Sequence, residues 1–183
     1  MNRLVLINLY GSQIALVSVG LVMMWLQGRT FAEIPLWTES VQMNAVLWGI
    51  GLAIVVLLID GVVYKFAPEY LQDDSGLNDL IFQHRSIWHI AVICGCVAIC
   101  EEFLFRGVIQ HSLGIFWTSV VFASMHWRYF KRWYLILYVF FIGYALGWIY
   151  LKSGSIWAPI LAHFMIDFVL GLFIRRKGVY RTS

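Results

Sequence analysis

Two adjacent glutamates and an arginine, Glu101, Glu102 and Arg106, lie within a stretch that is otherwise apolar enough to span a membrane. A charged side chain near the bilayer centre costs about 2.5–3.5 kcal/mol on insertion scales, so such residues usually mark a functional site. On a helix, residues four apart share a face. Glu102 and Arg106 are therefore predicted to form a structural ion pair, which leaves Glu101 without a cation. Such a carboxylate suits a general base that works near neutrality.

Two histidines and an aspartate lie in other apolar segments of the chain. His126 ends one of these segments, and His163 and Asp167 share a helical face of another because they are four residues apart. A lone histidine in a membrane helix usually makes an interhelical hydrogen bond, so the whole set could be a polar packing core. We favour a catalytic constellation, because an unpaired glutamate, two histidines and a histidine–aspartate pair occur together.

Two kinds of hydrolytic chemistry fit these residue types. A glutamate and a histidine can activate a water for attack on a carbonyl, and a second histidine with an acidic neighbour can stabilise the oxyanion. Alternatively, Glu101, His126 and His163 could bind a zinc ion, which would acidify its bound water. The chain lacks the His-Glu-x-x-His, Gly-x-Ser-x-Gly and Gly-x-Gly-Asp signatures of other membrane proteases. The residues alone leave both alternatives open.

The elements that must position these side chains are membrane-spanning helices. The 183 residues are 61% hydrophobic and only 13% charged, whereas a soluble domain carries about 25% charged residues. The apolar residues form blocks of the length that spans a bilayer. We therefore predict an all-α membrane helical bundle, a single domain over residues 1–183 with a catalytic core at about 87–175. About six spans are predicted, at Leu4–Leu26, Met43–Tyr64, Ile87–Ile109, Leu113–Trp127, Trp133–Leu151 and Ile156–Ile174.

The basic residues predict the orientation of the bundle. With the N-terminus inside, ten Lys and Arg residues fall on the inner side and only Arg29 and Lys152 on the outer side. Both termini are therefore predicted to be cytoplasmic. The net charge of +3 is dispersed among the ends of the spans and gives no sign of nucleic-acid binding. The ten inner residues are Arg3, Lys65, Arg85, Arg128, Lys131, Arg132, Arg175, Arg176, Lys177 and Arg181.

One polar segment, Pro68–Leu80, lies between the second and third predicted spans. We interpret it as a solvated linker, because it combines turn-forming residues with few apolar ones. The alternative is an interfacial segment that gates access to the site, with apolar residues against the lipid headgroups, namely Leu77, Leu80, Ile81 and Phe82.

Three motifs, in this order along the chain, resemble those of the CAAX-protease and bacteriocin-processing family of membrane proteases, also called the Abi family. The resemblance covers about Cys94 to Asp167, and the run from Glu101 to Gln110 is similar to the first family motif almost throughout. The motifs are Glu101-Glu102-x-x-x-Arg106, Phe122-x-x-x-His126 and His163-x-x-x-Asp167. The resemblance implies that Glu102 and Arg106 support the helix.

The resemblance implies an intramembrane endopeptidase that depends either on glutamate or on a metal such as zinc. Glu101 would activate the water with the help of His126, and His163 and Asp167 would bind the oxyanion. Eukaryotic members, which remove the last three residues of prenylated proteins, have Asn where this chain has Asp167. Because an ionised Asp cannot donate to an oxyanion, Asp167 would be protonated, would orient His163, or would ligate the metal.

The partners implied are the lipid bilayer and a membrane-associated peptide or protein substrate, in the cytoplasmic membrane of a bacterium. The main alternative is a different class of protein. It is a non-proteolytic membrane scaffold or regulator on the same fold, such as a partner of a sensor kinase or a bacteriocin immunity factor.

Overall fold

The computed structural model describes residues 3–34, 42–66, 76–129 and 132–181, without the side chains of residues 128 and 178–181. These residues form helices and no strand, so the prediction of an all-α membrane bundle is confirmed. The helices are α1 (Arg3–Leu26), α2 (Met43–Phe66), α3 (Leu77–Phe82), α4 (Ile87–Glu102), a π-helix (Phe103–Ile109), α5 (Gln110–Met125), α6 (Trp133–Ser153) and α7 (Trp157–Arg181). Short 3₁₀ turns lie at Phe31–Glu33 and Trp127–Tyr129.

In the described part of the chain, five helical stretches are long and apolar enough to cross a membrane, where the sequence suggested about six. The difference arises because the predicted spans Ile87–Ile109 and Leu113–Trp127 are continuous in one helical stretch, Ile87–Met125, which is kinked at Gly114 between them. The other four are Arg3–Leu26, Met43–Phe66, Trp133–Ser153 and Trp157–Lys177. The orientation of the termini and the domain bounds stay predictions.

The chain reverses direction at Gly114, inside this long stretch. Gly114 has φ 71° and ψ 174°, a combination that is essentially restricted to glycine. Beyond it, Phe122 packs against Phe105 with ring centroids 4.9 Å apart, although a straight helix would separate these residues (122 − 105 = 17) by about 25 Å. The 16 residues of α5 extend at most about 24 Å, less than the ~30 Å hydrocarbon core. The helix α5 is therefore a short arm folded back on the π-helix.

Replacing Gly114 with alanine is expected to lower the free energy of unfolding by about 1–3 kcal/mol, because alanine is strained at this φ and ψ. The matched control is Gly51→Ala in α2. A Cβ would meet no atom within 4 Å at either position, so the pair isolates backbone conformation from crowding. The control should be neutral or slightly stabilising, since alanine favours helix over glycine. Unfolding of both variants in detergent micelles, followed by circular dichroism, measures the difference, and equal stability would contradict the reversal.

Small residues let α6 approach α5 closely. A Cβ at Gly143 would lie 2.9 Å from the Phe122 ring, and one at Gly147 would lie 2.6 Å from Gln110 Oε1. Both approaches are closer than real Cβ contacts, so a larger residue would push the elements apart. This is the way in which membrane helices use small residues at their interfaces. Around this core, α7 packs against α2, α3, α4 and α6.

The predicted linker Pro68–Leu80 is described only at its end, because residues 67–75 lie outside the described ranges. The described end includes the short helix α3, which packs against α7 and α1. Leu80 is exposed and Ile81 is buried on this helix, as expected for an element at the membrane surface. Its proposed role as a gate stays a prediction.

Candidate active site

A π-helix begins directly after Glu101 and Glu102. All seven of its residues, Phe103–Ile109, are buried. π-Helical turns are rare and occur mostly at functional sites. The wider turn changes which side chains share a face, so the α-helical spacing used in the sequence analysis describes this segment only approximately.

The predicted ion pair between Glu102 and Arg106 is present and fully buried. Arg106 Nη1 lies 3.1 Å from Glu102 Oε1, and the side chains are 0% and 1% exposed. Arg106 Nη2 donates to Gly143 O of α6 at 3.0 Å, and the guanidinium lies 4.9 Å from the Phe122 ring centroid. The arginine therefore joins the π-helix to α6 and to α5 as well as pairing with Glu102.

His163 of α7 lies among three carboxyl groups. Its Nδ1–H donates to Glu102 Oε1 at 2.8 Å. Its Nε2 lies 3.5 Å from Asp167 Oδ2 and 4.0 Å from Glu101 Oε2. Four of the predicted site residues thus meet at one point, and the hydrogen bond to Glu102 directs Nε2 toward Glu101 and Asp167.

The contact of Glu102 with His163 is a feature that the sequence analysis missed. From the helical spacing, Glu102 was expected only to support the helix through Arg106. In the structure, Oε1 of Glu102 contacts both Arg106 and His163. The two residues are 61 positions apart in the chain. No local spacing signals a contact over that distance.

The side chains of the site differ in their access to solvent. The exposed fractions are 0% for Glu102, 10% for His163, 16% for Glu101 and 34% for Asp167. Glu101 and Asp167 are therefore partly exposed at the protein surface, whereas Glu102 is shielded. The accessible side of the site is the side of Asp167, one turn beyond His163 in α7.

His126 lies at the end of the folded-back arm α5 and faces the same region. Its Nδ1–H donates to Phe122 O at 2.9 Å. The Phe122 ring contacts the His126 ring and the His163 ring, with centroids 5.0 and 6.4 Å apart. Glu101 lies 13 residues before Gly114 (114 − 101) and His126 lies 12 after it (126 − 114), so the reversal places both about 18–20 Å from the turn.

The zinc alternative predicted that Glu101, His126 and His163 share one ion. Within residues 3–34, 42–66, 76–129 and 132–181, no group of three or more His, Cys, Asp or Glu side chains is arranged to hold a metal ion. The metal ligand set stays a prediction, and the mechanism proposed below uses no metal.

Comparison with known proteins places the whole constellation in one family. The model of the type II CAAX prenyl endopeptidase Rce1-like family matches residues 83–169, a range that includes every candidate site residue. YpbD of Bacillus subtilis strain 168, described as an uncharacterized protein, is 39% identical over 150 residues, which are 82% of this chain and 79% of YpbD. This chain belongs to the Rce1-like family. No solved structure matches it.

Membership of the Rce1-like family confirms the resemblance that the motifs carried. The family description assigns a CAAX-type protease, and the apolar helices make this member a multi-pass membrane protein. The contacts of Glu101, Glu102, His163 and Asp167 described above lie within the part of the chain that the family model matches.

Proposed function

We propose that this protein is an intramembrane endopeptidase that hydrolyses a peptide bond of a membrane-associated protein or peptide with a glutamate-activated water. One observation carries the proposal. Glu101, which is partly accessible, lies 4.0 Å from Nε2 of a histidine whose other ring nitrogen is bound to a buried carboxylate. A carboxylate and an oriented histidine, side by side in an apolar bundle, are the groups that water activation requires.

The first step is attack of water on the scissile carbonyl. Glu101 accepts a proton from the water while the water oxygen forms a bond to the carbonyl carbon, and the carbonyl oxygen becomes an oxyanion. His126, at similar depth on the arm α5, helps to position the water. Glu102 keeps the Nδ1 proton of His163 in place by accepting its hydrogen bond, as a buried carboxylate orients the histidine in other hydrolases.

The second step is collapse of the tetrahedral intermediate. The Nε2–H group of His163 donates a hydrogen bond to the oxyanion. This bond lowers the barrier most when the donor is already held in place. Glu101 then returns its proton to the leaving amine nitrogen as the carbon–nitrogen bond breaks. Of the three roles considered for Asp167, orientation of His163 has the best support, because Oδ2 lies 3.5 Å from Nε2.

The substrate is a peptide or protein at the cytoplasmic membrane of a bacterium. The relative YpbD comes from a bacterium, and the helices of this chain require a bilayer. The accessible fraction of Asp167 and Glu101 supports entry of a polypeptide segment from the Asp167 side of the site.

The proposal predicts that cleavage products disappear when Glu101 is replaced by glutamine, because the amide cannot accept the proton of the water. Peptides and membrane-protein termini are compared between cells that produce equal amounts of the wild type and of Glu101→Gln. Glu33→Gln is the matched control, because Glu33 is half exposed outside the spans. Termini found with the wild type and the control, and lost with Glu101→Gln, support a protease and identify its substrate. Identical profiles from folded, inserted proteins would favour the scaffold alternative.

A further inference from the structure

A second charged feature lies at the end of the bundle where α3, α4 and α7 meet. Arg85 is only 7% exposed, and its Nε donates to Ile81 O at 3.2 Å. Arg175 Nε donates to the backbone oxygen of Arg85 at 2.8 Å. Arg176 follows in α7 and is exposed. We call Arg85, Arg175 and Arg176 the basic junction.

The basic junction lacks a compensating anion from the described part of the chain. The ion pairs recorded there involve Glu33, Glu101, Glu102 and Asp167, and none includes Arg85 or Arg175. A largely buried guanidinium is costly unless an anion is nearby. An external anion at the junction would therefore offset the charges of Arg85 and Arg175.

The surroundings of the junction are those of the membrane surface. Arg85 comes two residues before α4, whose N-cap is Ser86, so the positive end of the helix dipole lies beside it. Trp88 is 83% exposed and Leu80 is 54% exposed. An exposed tryptophan and leucine beside a basic group are typical of the boundary between headgroups and acyl chains.

We propose that the basic junction binds the phosphate of an anionic phospholipid, with the acyl chains lying along Leu80 and Trp88. Guanidinium groups suit phosphate because their N–H donors match its oxygens. Basic pockets between membrane helices bind anionic headgroups in this way. A lipid fits better than a free phosphate ion, because the apolar side chains beside the arginines would contact its chains.

The test is native mass spectrometry of the full-length protein with phosphatidylglycerol or phosphatidylcholine that carries the same acyl chains. The wild type is expected to bind phosphatidylglycerol at least about five-fold more tightly, and Arg175→Gln to lose about five-fold, the effect of one basic residue near the surface. Glutamine retains an N–H donor for the Arg85 oxygen. The matched control is Lys152→Gln, because Lys152 is exposed in the last turn of α6. This substitution should leave the preference for phosphatidylglycerol unchanged.

Three outcomes would overturn the proposal. They are equal binding of the two lipids, equal effects of Arg175→Gln and Lys152→Gln, and displacement of the lipid by millimolar inorganic phosphate, which would indicate a site for the free ion. If Arg175→Gln does not fold, Arg176→Gln decides in its place. Arg176 is exposed, and its loss should also weaken phosphatidylglycerol binding about five-fold.

Discussion

Replacing His163 with alanine is expected to lower the rate of peptide-bond hydrolysis by about 10²–10⁴-fold, the usual contribution of a positioned acid–base group. The reason is the place of the imidazole between the carboxyl groups, with Nδ1 on Glu102 and Nε2 toward Glu101 and Asp167. Without the ring, the oxyanion loses its donor. The measurement is kcat of the purified variant on a substrate identified from the cellular termini.

Two further variants separate chemistry from folding. His111→Ala is the matched control, since His111 is an exposed histidine near the start of α5, and it should keep the wild-type kcat. His163→Gln preserves much of the side-chain volume and a donor for Glu102, so it should fold like the wild type and still be slow. A His163→Ala enzyme with wild-type kcat would remove the imidazole from the mechanism. Equal losses in His163→Ala and His111→Ala would point to a general effect on folding.

The candidate site residues could be predicted from the sequence because their signals are local. Glu102 and Arg106, like His163 and Asp167, are spaced at i and i+4, and both pairs lie within 3.5 Å in the structure. Their polarity within apolar segments marked them as costly in a membrane and therefore as candidates for a functional site. The family followed from the order of these motifs, which needs no knowledge of the packing.

The predicted third and fourth spans, Ile87–Ile109 and Leu113–Trp127, already require the chain to reverse between them, but the form of the reversal at Gly114 could not be predicted in the same way. Two apolar blocks separated by Gln110, His111 and Ser112 have the same hydropathy pattern whether the second block crosses the whole membrane or forms only a short arm. The backbone conformation of Gly114, φ 71° and ψ 174°, makes the difference. A polarity pattern has no information on that angle. The fourth span suggested by the sequence therefore corresponds to the part of α5 beyond Gly114, which is shorter than a full membrane span.

The role of Glu102 shows a second limit of sequence reasoning. The helical spacing correctly pairs it with Arg106, and from that pair the carboxylate looks fully occupied. A carboxylate oxygen can accept more than one hydrogen bond, and Oε1 of Glu102 accepts from both Arg106 and His163. The second contact depends on how α7 packs against α4, which is a tertiary property. Glu102 is therefore a positioning residue as well as a partner of Arg106.

Replacing Arg106 with methionine is expected to lower the free energy of unfolding by about 3–5 kcal/mol, the cost of leaving a buried charge without its partner. Glu102 is 0% exposed, so water cannot replace the guanidinium, and only the hydrogen bond from His163 to Oε1 would remain. The donor to Gly143 O is lost as well. Denaturation of the purified variant in mixed micelles measures the loss.

The double variant Glu102→Gln/Arg106→Met distinguishes an unpaired charge from lost packing. Replacing both members of a buried pair by neutral groups often costs little, so the double variant should recover a large part of the stability that Arg106→Met loses. It should remain slow, because Glu102 no longer holds His163 as a carboxylate. The control Glu33→Gln breaks the partly exposed pair of Glu33 with Arg29, at 3.6 Å, and should change stability little. If Arg106→Met and the double variant unfold alike, the large cost lies in packing around Gly143 and Phe122, and the ion pair is not the dominant constraint on the site.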